Sequence, residues 1–119
     1  MAAHPYRKTR EETKVEEKDG DQIIGGYVDN LKAACRLVKD NNMIAGLDLG
    51  IESIIDDMDE LRPLLNKKSH LKRLKADAEK FTAKLLESCR DGNEAMSLGN
   101  MRQLRDRIAA LKVLFGREK

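Results

Sequence analysis

The chain has 119 residues, 40% of them apolar and 37% charged, with 3% aromatics, no Trp and a net charge of +2. That size suits one domain with one modest core. No apolar run approaches the roughly 18 residues of a membrane span, and the opening residues lack the apolar core of a secretion signal, so a cytoplasmic protein without a membrane partner is expected.

Residues 1–20 carry five basic and five acidic groups around only two large apolar side chains, Tyr6 and Val15. Such a segment buries too little apolar surface to offset its ordering entropy. It reads as a flexible arm ending at Gly20, disordered or ordered only by a partner. Tyr6, Arg7, Lys8 and Arg10 are its candidate recognition residues.

A helical domain is expected over residues 21–119. The first helix covers roughly 21–40, where Ile24, Tyr27, Val28, Leu31, Ala34, Cys35 and Val38 recur at spacings of three and four. Gly25 and Gly26 each disfavour helix by about 1 kcal/mol, so the start falls at Asp21 or at Tyr27. The pair reads as a kink or a close helix contact, because IIGGY lacks the rest of a phosphate-binding pattern.

A second helix runs from near Asp48 to Arg62, with a heptad-like seam of Leu47, Ile51, Ile54, Met58, Leu61 and Leu65. Pro63 stops or kinks it. The third spans about Ser69 to Arg90, with Ser69 as cap and Leu71, Leu74, Ala78, Phe81, Leu85 and Cys89 inward. Gly92 marks its left-handed end. NEAMSLG adds at most a short turn, and Asn100 opens a fourth helix over 101–115. The fold class is therefore all-α, a small antiparallel bundle of about four helices behind a flexible N-terminal arm.

Charge is divided along the chain. Residues 21–66 hold four basic and nine acidic groups, and residues 67–119 hold fourteen basic and seven acidic. The stretch NKKSHLKRLKADAEK puts base at the start of the third helix, where it opposes the macrodipole, and DDMDE puts acid at the end of the second. Both are explained if the two helices form a hairpin in which Asp56, Asp57, Asp59 and Glu60 face Lys67, Lys68, Lys72 and Arg73. The competing reading is a phosphate-contacting surface of Lys67, Lys68, Lys72, Arg73 and Lys75, extended by Arg102, Arg105, Arg107 and Lys112. No aromatic platform, zinc finger or basic zipper accompanies it.

Catalytic chemistry finds no constellation. His4 lies in the arm and His70 reads as an exposed turn residue. Cys35 and Cys89 fall on apolar stripes and have no metal or redox spacing, which favours buried structural thiols and leaves a disulfide open. DDMDE lacks the loop and glycine of a calcium site. Neither metal nor cofactor is expected. Met58 and Met101 read as core, and Met43 and Met96 as contact residues. The expected function is non-enzymatic: an adaptor, assembly factor or regulator that binds other proteins and self-associates as a homo-oligomer. Leu104, Ile108, Leu111 and Phe115 form its candidate docking stripe if the last helix is shared. Nucleic-acid binding through the basic C-terminal half is the alternative.

Overall fold

The computed structural model describes residues 17–117, which form four helices and one 3-10 turn. Helix α1 spans Glu17–Asp40, α2 Leu47–Leu61, α3 Lys68–Arg90 and α4 Glu94–Arg117. The 3-10 turn covers Arg62–Leu64, with Pro63 where its missing N–H costs nothing.

The turns follow from local chemistry. Helix α1 ends with Asn42 in the left-handed region (φ 49°), Met43 N–H bonding Val38 O at 2.9 Å and Asn42 N–H bonding Lys39 O at 3.2 Å. Helix α3 repeats the pattern with Gly92 (φ 70°), Asn93 N–H bonding Ser88 O and Gly92 N–H bonding Cys89 O. Both are two-bond endings that satisfy the last carbonyls and reverse the chain. Asn93 then caps α4, its Oδ1 accepting from Met96 N–H at 3.1 Å.

Three helix starts differ from the sequence reading. Gly20 does not end an arm: it lies inside α1, where a Cβ would sit 3.4 Å from Leu65. The helix also runs unbroken through Gly25 and Gly26, because packing of its apolar face outweighs the propensity cost. At the other end, α4 begins at Glu94 and absorbs NEAMSLG. Asn100 is an interior residue, its Nδ2 donating to Ser88 Oγ at 3.4 Å. Ser69 caps nothing, since α3 starts at Lys68 after an extended Lys67.

Each helix packs on two others. Helix α1 contacts α2 and α3, and α4 contacts α2 and α3, whereas α2 and α3 share no packing contact. Consecutive helices alternate in direction, so α1 and α2 form one antiparallel pair and α3 and α4 the other. The pairs associate with α1 parallel to α3 and α2 parallel to α4. Asn41 at the end of α1 bonds Cys89 O near the end of α3 at 2.8 Å. Segment 62–67 therefore crosses the bundle diagonally, with Leu65 buried beside α1. Neighbouring helix axes lie about 8–10 Å apart, so a diagonal of about 14 Å is within reach of six residues at about 3.3 Å each.

Aliphatic side chains from all four helices fill the core, including Ile24, Leu31, Ile51, Ile54, Met58, Leu74, Leu85, Leu104 and Ile108. One polar cluster is buried between α3 and α4. Ser97 Oγ donates to Ser88 Oγ at 2.9 Å, Ser88 Oγ to Leu85 O at 2.9 Å, and Cys89 Sγ to Ser97 Oγ at 3.5 Å. Among the described residues no buried side-chain polar atom lacks a partner.

Candidate functional site

The diagonal placement of α2 and α3 overturns the expected charge match. Asp56, Asp57, Asp59 and Glu60 do not face Lys67, Lys68, Lys72 and Arg73, because α1 and α4 lie between them. The acids find other cations. Lys112 of α4 donates to Asp57 Oδ1 at 3.0 Å and also to Glu60 Oε2. Arg62 bonds Asp59 at 3.0 Å and Asp21 of α1 at 3.2 Å. The hydrogen bonds from Lys112 to Glu60 and then Asp57 hold its pKa above the ordinary lysine value.

The bases of α3 are left largely to solvent. Arg73 approaches Asp77 of its own helix at 4.0 Å, and Asp77 takes a shorter bond of 3.1 Å from Arg107 of α4. Lys67, Lys68, Lys72, Lys75, Lys80 and Lys84 are exposed and make no ion pair with any described residue. At about 100° per residue, Lys68, Lys72 and Lys75 lean toward α1, while Arg73, Lys80 and Lys84 lean toward α4. Lys84 and Arg107 also stand over the Phe81 ring, at 5.8 and 4.7 Å from its centroid.

Of the four α4 cations expected to extend this surface, only Arg107 does so. Arg102, Arg105 and Lys112 lie on the flank turned to α2, Arg105 beside Asp106 at 3.7 Å. The sequence reading missed that division because Arg107 and Lys112, five residues apart, fall on opposite sides of α4's inward direction. Lys80 and Lys84 join the α3 surface, on the face opposite Leu71 and Leu74 where helical spacing places them. Their signal was present: they continue the exposed face of Arg73 at steps of seven and four.

Helix α2 forms the opposite edge. It contains Asp48, Glu52, Asp56, Asp57, Asp59 and Glu60 and no basic residue. Asp48, Glu52 and Asp56 make no ion pair with any described residue. Leu49 shares the outer face of Asp56 and is 65% exposed. The bundle thus presents an acidic edge and a basic edge on opposite corners.

The other candidates fall elsewhere. Leu104, Ile108, Leu111 and Phe115 are buried in this chain's own core, so the proposed docking stripe is already covered from within. Met43 is buried rather than available for contact, and Met96 is exposed. His70 is not an exposed turn residue. It is 3% exposed, stacks on Phe115 and places Nδ1 2.8 Å from Leu64 O. Cys35 and Cys89 are free and buried, as their place on apolar stripes implied. Burial first, then the charges of Glu52 and Asp48, push the Cys35 thiol up to about 11. Tyr6, Arg7, Lys8, Arg10 and His4 lie outside the described residues.

Among the described residues no group of three His, Cys, Asp or Glu side chains is placed to hold a metal ion, and no helix is long and apolar enough to cross a membrane. No protein-family model, curated protein or solved structure matches the chain.

Proposed function

We propose that this protein is a non-enzymatic interaction module that binds an acidic protein surface through the exposed edge of α3. One observation carries the reading. Lys68, Lys72, Lys75, Lys80 and Lys84 project from a rigid helix with no ion-pair partner among the described residues, and the acids that would have neutralised them are held on the opposite corner. Charges arranged on a fixed scaffold steer association and fix orientation more than they add affinity. An adaptor or assembly role follows from two charged edges on one small body.

Nucleic-acid binding is the second reading, favoured by the same lysines together with Arg73 and Arg107. Phosphates would be contacted without base readout, and affinity would fall steeply with salt. Among the described residues the aromatic rings beside these lysines are buried, Phe81 beneath Lys84 and Arg107 and Tyr27 in the groove it shares with Lys75.

Fluorescence anisotropy separates the two, using a labelled polyglutamate peptide and a labelled single-stranded oligonucleotide of similar length. Binding of the peptide at low salt, lost in Lys72→Glu/Lys75→Glu/Lys80→Glu, supports the first reading. Binding of the oligonucleotide alone supports the second. Unchanged binding by the triple variant, or no binding of either probe, removes the α3 edge as the site.

A further inference from the structure

Helix α2 has the chemistry that the α3 edge would recognise. We infer that a second copy of this chain is a partner, its acidic α2 edge docking on the basic α3 edge. The inference rests on the proposed use of α3 and adds the identity of the acidic surface.

The outer faces match in length and spacing. On α2, Leu49, Glu52, Asp56 and Glu60 recur at steps of three and four, all exposed. On α3, Arg73, Ala76, Lys80 and Ala83 do the same, with Lys72 and Lys84 beside them, all exposed. Set antiparallel, Glu60 meets Arg73, Asp56 lies over Ala76 between Lys72 and Lys80, Glu52 meets Lys80 and Lys84, and Leu49 rests on Ala83. The small Ala76 and Ala83 let the helices approach, and Leu49 gains cover for its exposed side chain. Antiparallel docking also places each helix end beside the opposite end of the other macrodipole. A parallel register sets Leu49 against Ser69 or Arg73 instead, which leaves it without an apolar neighbour.

The geometry fixes the kind of assembly. The two edges are diagonal on each copy, so one contact cannot be two-fold symmetric. Each docked pair leaves one free acidic edge and one free basic edge, a head-to-tail arrangement that continues until it closes into a ring or runs on as a filament. Exposed ion pairs supply little energy each and are screened by salt, so the association is weak and reversible.

Sedimentation velocity on the full chain tests this, at about 20 mM and about 0.5 M salt, where the Debye lengths are roughly 20 and 4 Å. The expected result is a weight-average mass that rises with concentration at low salt and returns to 13.5 kDa at high salt. Lys72→Glu/Lys80→Glu and Glu52→Lys/Asp56→Lys each alone remain at 13.5 kDa, and an equimolar mixture of the two associates again. Glu52→Gln/Asp56→Asn, which removes charge without reversing it, weakens association at least tenfold. A wild-type chain that stays at 13.5 kDa at low salt overturns the inference, as does association of both reversed variants alone. If self-association fails while polyglutamate still binds and is lost in Lys72→Glu/Lys80→Glu, the second-copy inference falls and the α3 reading stands. If an oligonucleotide binds instead, the partner is nucleic acid and the second copy is excluded. Loss of both self-association and polyglutamate binding removes both readings.

Discussion

The imidazole of His70, at the start of α3, stacks on the Phe115 ring near the end of α4, with centroids 4.1 Å apart and planes inclined by 20°. Its Nδ1 reaches Leu64 O at 2.8 Å, in the turn that carries the chain across the bundle. One side chain thus ties the crossover segment to the last helix. Phe115→Ala removes the stack and opens a cavity, at an expected cost of about 3–5 kcal/mol. His70→Ala costs less, about 1–3 kcal/mol, because it leaves Leu64 O without this partner. Urea denaturation followed by circular dichroism measures both, and a loss below about 1 kcal/mol for Phe115→Ala would contradict the packing described.

Lys112 marks which helix the acids of α2 belong to. Its pair with Asp57 is only partly exposed, the side chains at 32% and 22%. A double-mutant cycle of Lys112→Met and Asp57→Asn is expected to give a coupling of about 0.5–1 kcal/mol, and a cycle of Lys72→Met with Asp57→Asn none. Equal couplings would restore the hairpin between α2 and α3.

Glycines separate by what surrounds them. A Cβ on Gly26 meets nothing within 4 Å in the middle of α1, so Gly26→Ala should stabilise by about 0.5–1 kcal/mol. Gly46 holds φ at +96°, where a side chain is strained, so Gly46→Ala should destabilise by about 1 kcal/mol or more. A melting temperature lowered by Gly26→Ala would be inconsistent with α1 as an unbroken helix, and one raised by Gly46→Ala with the left-handed backbone at that position.

Alkaline pH should weaken the fold through its buried acids, Tyr27 and Cys35 among them. Burial, then the charge of Glu79, pushes the Tyr27 hydroxyl up to about 12, and burial pushes Cys35 up to about 11. Raised values mean that the folded state keeps protons the unfolded chain has released. Stability is therefore unaffected below the ordinary values of 9 for Cys and 10 for Tyr, and falls as pH rises above them. Each group contributes a slope of up to about 1.4 kcal/mol per pH unit. Urea midpoints between about pH 8 and 11 should drop for the wild type and drop less for Cys35→Ala and Tyr27→Phe. The Cys35 thiol should also react slowly with a disulfide reagent near pH 8 until the chain is unfolded.

Inward-facing residues were legible because burial repeats with the helical period. Ile24, Leu31, Ile51, Met58, Leu85 and Ile108 all sit where the three-four spacing placed them, as do Cys35 and Cys89. Gly92 was legible as a helix end because a left-handed residue there is a local requirement. The arm boundary and the start of α4 were not. Gly20 and Asn100 carry local turn chemistry, and tertiary contacts with Leu65 and Ser88 overrode it.

The candidate site was half visible. Lys67, Lys68, Lys72, Arg73 and Lys75 could be named as a basic surface, yet a hairpin match with Asp56, Asp57, Asp59 and Glu60 was the better local account of them. Choosing between the two required knowing which helices touch. The sequence by itself determined four amphipathic helices, their inward faces and the unequal division of charge, since each depends on residues a few positions apart. Only the tertiary structure decided that α2 and α3 stand on opposite corners. An apolar stripe specifies which side of a helix turns inward, while its neighbours are set by how all four stripes fill one core, a property no single segment contains.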